Sequence, residues 1–226
     1  MNLIIDIGNT KAKLAIFDHD NIIEYDTLST ENVIEGIDYF INKNKHIDRA
    51  IISNVSSINN SIIKEKINIK HSYFLSDDLK LPFVNKYESK KTLGSDRKAL
   101  ASAVIKHFPN TNALIIDAGT CITIDFIDEY GNYHGGSISP GIDMRYSSLN
   151  NKTFNLPKLE KEYPSHIIGR STEDSIHSGV INGIVFEIRE YISEYHKKYD
   201  NIKVILTGGD SDFLSKPLKI SIFANQ

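Results

Sequence analysis

Leu114-Ile115-Ile116-Asp117-Ala118-Gly119-Thr120-Cys121-Ile122-Thr123-Ile124-Asp125-Phe126 decides how this chain is read. An apolar run ends in Asp117, turns through Ala118-Gly119-Thr120, and resumes with Ile122, Ile124 and Phe126 alternating against Thr123 and Asp125. That pattern predicts a strand, a tight loop and a second strand. Gly119 lets backbone approach a bulky ligand and Thr120 supplies a hydroxyl. Asp117 places an anionic oxygen at a strand end, where a hard cation can be held. A purely structural hairpin requires no such combination. The same grammar opens the chain, where Leu3-Ile4-Ile5-Asp6-Ile7-Gly8-Asn9-Thr10 precedes Leu14 to Phe17. Two copies of strand, Asp-x-Gly, Thr, strand predict an internally duplicated α/β protein that grips one ligand between its halves.

Outward from the opening copy, Ile22 to Tyr25 continues a hairpin. Thr30 reads as the N-cap of a helix whose apolar face is Val33, Ile34, Ile37, Phe40 and Ile41. Ala50 to Val55 is a buried strand with a polar end. A short helix around Ile62 to Ile67 and a strand from Ser72 to Leu75 follow. The first half is therefore β-β-β-α-β-α-β. Leu81 to Gly94 lacks periodicity and reads as a surface excursion, and a helix from Asp96 begins the second half.

Around the second copy, Asp128 to Asn132 is a turn, Tyr133 to Ile138 a returning strand, and Ile142 to Leu149 a helix. Ser171-Thr172-Glu173-Asp174 resembles a capping box opening the longest helix. Its stripe is Ile176, Val180, Ile184, Ile188, Ile192 and Tyr195. Val204 to Thr207 is a buried strand broken by Gly208-Gly209-Asp210, and Lys219 to Phe223 is expected as a last strand without the closing helix that usually covers it.

Composition limits the function. The chain has 226 residues, 40% of them hydrophobic, enough for two small domains. Its net charge of −3, with both signs interspersed, leaves no footprint for nucleic acid or an anionic membrane. No window approaches the roughly 20 apolar residues of a spanning helix. One cysteine excludes an internal disulfide, and the chain starts directly in a strand, so a cytoplasmic protein is expected. Neither a Walker loop nor a dinucleotide fingerprint is present.

Two stretches carry candidate chemistry. Asp6-Ile7-Gly8-Asn9-Thr10-Lys11-Ala12-Lys13 fits an ordinary β-turn. It equally fits a phosphate clamp, with backbone N–H groups from Gly8 and Asn9, the Thr10 hydroxyl, a lysine cation, and Asp6 orienting hydrated Mg²⁺. Its duplication at Asp117 favours the clamp. In Thr92-Leu93-Gly94-Ser95-Asp96-Arg97, Asp96 fits a helix N-cap. A solvated Arg97 there would oppose the helix dipole, so an anionic partner is suggested.

Taken in order, these residues resemble the type III pantothenate kinases of bacteria, members of the sugar kinase, Hsp70 and actin superfamily. The match rests on Asp6-x-Gly-Asn-Thr-x-x-Lys13, Tyr87 ahead of Gly94-Ser-Asp-Arg97, Asp117-x-Gly-Thr120, Gly135-Gly-x-Ile-x-Pro-Gly141, Thr172-x-x-Ser-Ile176 and Thr207-Gly-Gly-Asp210. It implies a duplicated ribonuclease-H-like (actin-like ATPase) fold, with domains over 1–95 and 96–226 and the active site in the cleft between them. It also implies ATP at Asp6, Ile7, Gly8, Asn9, Thr10, Lys11, Ala12, Lys13 and Thr120. Tyr87, Gly94, Ser95, Asp96, Arg97 and Thr172 would contact pantothenate, with Asp96 the proton acceptor. Asp117 would bind a monovalent cation, potassium or ammonium, and Mg²⁺ would accompany ATP. The family's proline between the tyrosine and the Gly-x-Asp-Arg motif is replaced here by Glu88-Ser89-Lys90-Lys91. A non-catalytic nucleotide-sensing regulator and a kinase for another small alcohol are the competing readings. A homodimer is expected from Val185, Phe186 and Tyr191, apolar or aromatic residues off the long helix's main stripe.

Overall fold

A computed structural model describes residues 1–44, 46–75 and 79–220. The chain divides into two compact units, Met1–Pro82 with Glu88–Ala103, and Phe83–Tyr87 with Val104–Gln226.

In the first unit, strands β1 (Asn2–Ile7), β2 (Lys11–Asp18) and β3 (Asn21–Ser29) form an antiparallel meander. β4 (Arg49–Asn54) and β5 (His71–Phe74) join it in parallel, giving the order β3-β2-β1-β4-β5. Alternation in β1 buries Leu3, Ile5 and Ile7 completely and turns Asp6 to the other face. Helix α1 (Val33–Lys43) covers the buried face with Val33, Ile37 and Phe40, and α2 (Asn60–Lys66) adds Ile63. Each such side chain contributes roughly 1.5–3 kcal/mol by leaving water. The predicted β-β-β-α-β-α-β order is observed. Thr30 does not cap α1, however: it lies in a 3₁₀ turn, Thr30–Asn32, and its hydroxyl is used elsewhere.

The second unit repeats the core of this plan. β7 (Ala113–Ala118), β8 (Cys121–Ile127) and β9 (Asn132–Pro140) are the meander, and β10 (Lys203–Thr207) lies parallel to β7 as β4 does to β1. β6 (Val84–Asn85) pairs parallel with β9, completing the order β10-β7-β8-β9-β6. The stretch expected as a surface excursion thus contributes a strand, and Phe83 and Leu93 within it are buried. Helix α3 (Ser95–His107) starts in the first unit, and α4 (Ile142–Lys152) follows β9.

The long helix is three pieces: α5 (Thr172–His177), a π-helical turn (Ser178–Asn182) and α6 (Gly183–Lys198). Its stripe recurs every fourth residue, which in a 3.6-residue helix drifts by about 40° per step. The wider π turn offsets that drift, and Ile176, Val180, Ile184 and Ile188 are all buried in one core. Val185 is buried there too, so it offers nothing to a partner, while Phe186 and Tyr191 remain exposed. Helix α7 (Ser211–Leu218) packs against α6 and β10 through Leu214 and Leu218. Lys219, expected to open a strand, is instead the left-handed C-cap of α7; residues 221–223 of that expectation lie outside the described residues.

Candidate active site

In the first unit the loop from β1 to β2 is built to turn its carbonyl oxygens inward. Gly8 N donates to Lys11 O at 3.0 Å, Thr30 N to Thr10 O at 3.1 Å, and Thr30 Oγ1 to Gly8 O at 2.9 Å. These bonds occupy the loop's carbonyl oxygens internally, which suits an anion, but the first of them also occupies the Gly8 N–H that the sequence reading assigns to a phosphate oxygen. Thr30, with the chemistry of a helix cap, is instead a residue that shapes this loop. Ile7 and Ala12 are buried in the core, so any ligand meets only their backbone. Asp6 pairs across the hairpin with Lys13, and Asn9, Thr10, Lys11 and Lys13 are exposed.

The start of α3 is fastened to the same strand ends. β1 and β4 run in register with Asp6 beside Ser53 and Ile7 beside Asn54. Ser95 Oγ lies 3.0 Å from Ser53 Oγ and accepts from Asn54 N at 3.1 Å. The unit thus brings Gly94, Ser95, Asp96 and Arg97 to the edge that carries the Asp6–Lys13 loop. Lys98 N donates to Gly94 O, so Gly94 opens the helix and Asp96 is its second residue rather than its N-cap. Asp96 Oδ1 accepts from Arg97 N at 2.7 Å. Arg97 is 5% exposed, which excludes the solvated reading of it.

The second unit holds the companion loop. Gly119 N donates to Cys121 O at 3.0 Å, as Gly8 does to Lys11. Asp117, next to last in β7, lies beside Thr207 of β10. Beyond Thr207, Gly208 takes φ +97°, where a Cβ would lie 2.4 Å from Asp117 Oδ1 and 2.3 Å from Ala118 O. Only glycine permits that approach. A Cβ on Gly141 would meet Gly119 O at 2.1 Å, so two glycines press backbone onto the Asp117–Thr120 loop. The atoms gathered there are oxygens, the donor type a hard cation takes. Among the described residues no group of three or more His, Cys, Asp or Glu is placed to hold a metal.

Tyr87 and Thr172 also belong to the second unit. The Tyr87 ring packs on Gly135, whose Cβ would come within 2.7 Å of it, and stands 6.3 Å from the Tyr133 ring. Thr172 lies in a groove of about 1170 Å³ with Met144, Arg145, Arg170 and Ser175. The side-chain N-cap of the expected capping box is present, Ser171 Oγ accepting from Asp174 N at 3.1 Å. Burial pushes the Tyr146 hydroxyl up to about 12, so it stays protonated, and it shares a hydrogen bond with His177 Nδ1 at 2.7 Å that ties α4 to α5.

The family model described as type III pantothenate kinase matches residues 2–194. A type III pantothenate kinase of Flavobacterium johnsoniae is 43% identical over 226 residues, covering 100% of this chain and 92% of that one. One of Christiangramia forsetii is 44% identical, with 100% and 93% covered. Among solved structures, a Campylobacter jejuni protein described as a Baf-family transcriptional activator is similar, with a TM-score of 0.61, 26% identity, and 99% and 91% of the chains covered. The ADPNP-bound activator of the Clostridium difficile 2-hydroxyisocaproyl-CoA dehydratase has a TM-score of 0.55 at 13% identity, with 98% and 87% covered, and shows the fold alone. That fold is the duplicated two-domain α/β fold of actin-like ATPases and sugar kinases. Among the described residues no helix is long and apolar enough to cross a membrane.

Proposed function

The chain belongs to the type III pantothenate kinase family, and from that premise we propose that it transfers the γ-phosphoryl group of ATP to the primary hydroxyl of pantothenate. The product is 4′-phosphopantothenate, on the way to coenzyme A, and the reaction belongs in the cytoplasm. The observation that carries this reading is the Ser95 hydroxyl, which docks the Asp96-bearing helix start onto the strand edge of the Asp6–Lys13 loop.

In this reading Asn9, Thr10, Lys11 and Lys13, with Ile7, Gly8 and Ala12 through their backbone, hold the phosphates, Asp6 orients the hydrated Mg²⁺ that accompanies them, and Thr120 contacts ATP. Gly94, Ser95, Arg97, Tyr87 and Thr172 contact pantothenate. Asp96 accepts the hydroxyl proton. Phosphoryl transfer is mostly positioning and charge neutralisation, so a carboxylate of pKa about 4 suffices, taking the proton late as oxygen bonds to phosphorus. Mg²⁺ arriving with ATP supplies neutralisation of phosphate charge. Asp117 and carbonyl oxygens of its loop fit a monovalent cation, potassium or ammonium, which would prevent the carboxylate from repelling phosphate. The protein is a homodimer in this account, exposed Phe186 and Tyr191 supporting a second apolar surface; a monomer by light scattering would remove that element.

The deciding assay incubates purified protein with ATP, Mg²⁺ and potassium against a panel of small alcohols that includes pantothenate. Phosphopantothenate as the preferred product supports the reading. Nucleotide binding without any phosphorylated product would favour a regulator instead, the description carried by the similar Campylobacter protein. Preference for another alcohol would move the substrate assignment.

A further inference from the structure

Residues 153 to 171 carry neither helix nor strand, yet part of this segment is fastened to the start of α7 by specific contacts. Lys161 Nζ forms an ion pair with Asp210 Oδ1. The Tyr163 ring stacks on Phe213 with centroids 4.0 Å apart and planes 2° apart, and its hydroxyl donates to the Phe213 carbonyl. Lys161 also stands 5.7 Å from the Phe213 ring centroid.

Asp210 is also held through its backbone. Its N–H donates to Ala118 O at 2.8 Å, and Ser211 N and Oγ close the same turn on Gly208 O at 3.1 and 2.7 Å. Through Gly208 that turn lies against Asp117 Oδ1. The Asp210 side chain is 12% exposed, and the ion-pair partner that reaches it comes from 49 residues away.

We propose that Lys161 is a positioning residue for the nucleotide end of the site: its ion pair with Asp210 fixes the Gly208–Asp210 turn against Asp117 and so sets affinity for nucleotide and monovalent cation. The inference rests on the kinase reading above. Lys161 contacts neither ligand; it acts through the backbone of the turn. A small displacement there degrades binding geometry without removing a chemical group.

The test compares wild type, Lys161→Met and Lys161→Arg in the full chain. Binding of a non-hydrolysable ATP analogue is measured by calorimetry, alongside ATP KM, potassium half-activation and kcat. Lys161→Met should weaken analogue binding and raise ATP KM and the potassium requirement about tenfold, with kcat within about twofold; Lys161→Arg, which restores the charge, should recover most of the loss. If the stranded Asp210 carboxylate unfolds Lys161→Met, the double variant Lys161→Met/Asp210→Asn removes crosslink and charge together and should show the same split. Wild-type binding and KM in a folded Met variant, or a loss confined to kcat, overturns the proposal. Failure of the wild type to phosphorylate pantothenate sinks the functional reading, and the binding comparison still decides the role of Lys161.

Discussion

The hydroxyls of Ser53 and Ser95 lie 3.0 Å apart across 42 residues of sequence, linking the end of β4 to the first turn of α3. Ser53 is level with Asp6 on the neighbouring strand, so one hydroxyl pair sets the helix start carrying Asp96 against the strand that carries the Asp6–Lys13 loop. Ser53 itself is 6% exposed and lies in neither sequence motif. Its substitution separates positioning from chemistry.

Ser53→Ala should cost about 1 kcal/mol of stability, the net worth of one hydrogen bond. Turnover should fall about tenfold through misplacement of Asp96, while ATP affinity stays within about threefold. Steady-state kinetics and urea unfolding on the same preparation check both halves. Unchanged turnover would show that the Asn54 N–H alone is enough to hold Ser95.

Much of this arrangement was legible because it is written in short periods. Alternation and the Asp-x-Gly turns located β1, β2, β7 and β8, and Ser171 to Asp174 gave its cap from sequence alone. Less legible were residues whose partner is remote. Thr30 has the chemistry of a helix cap, and nothing local says that its hydroxyl goes to Gly8, 22 positions away. Ser53 and Lys161 are hidden for the same reason. Helix α7 is short and contains Pro217, so propensity argues against it, and burial of Leu214 and Leu218 decides the matter. β6, two residues long, has no period to read. Val185 looked surplus to one buried face until the π turn altered which positions face the core.

Asp117→Asn keeps the side chain's size and removes its charge, so it should weaken potassium activation and raise ATP KM about tenfold, or ~1.4 kcal/mol. The checks are potassium titrations of initial rate and nucleotide binding. Equal wild-type turnover in sodium and potassium would contradict the cation role outright.

Asp128 at the β8–β9 turn gives an acid-side signature. Burial opposes its ionisation, but hydrogen bonds from His134 and from the backbone and side chain of Asn132 outweigh that and hold its pKa below the ordinary 3.8. A pKa lowered by folding adds stability above the unfolded value and loses it as pH falls through the folded one. Asp128→Ala should therefore cost about 1 kcal/mol at neutral pH, solvent screening of half-exposed His134 keeping it small. Urea unfolding at neutral pH and at about pH 3 should show the gap between variant and wild type closing in acid.

The central claim is that Asp96 accepts the proton of the attacking hydroxyl. Asp96→Asn preserves shape and leaves an oxygen for the Arg97 N–H, so the fold should survive. The most direct measurement is single-turnover phosphorylation of pantothenate by wild type and Asp96→Asn, with ATP affinity determined in parallel. The account predicts a rate lower by about 10²–10⁴ with ATP affinity within a few-fold. Phosphorylation by Asp96→Asn at close to the wild-type rate would contradict it and leave Gly94 to Arg97 as a binding turn.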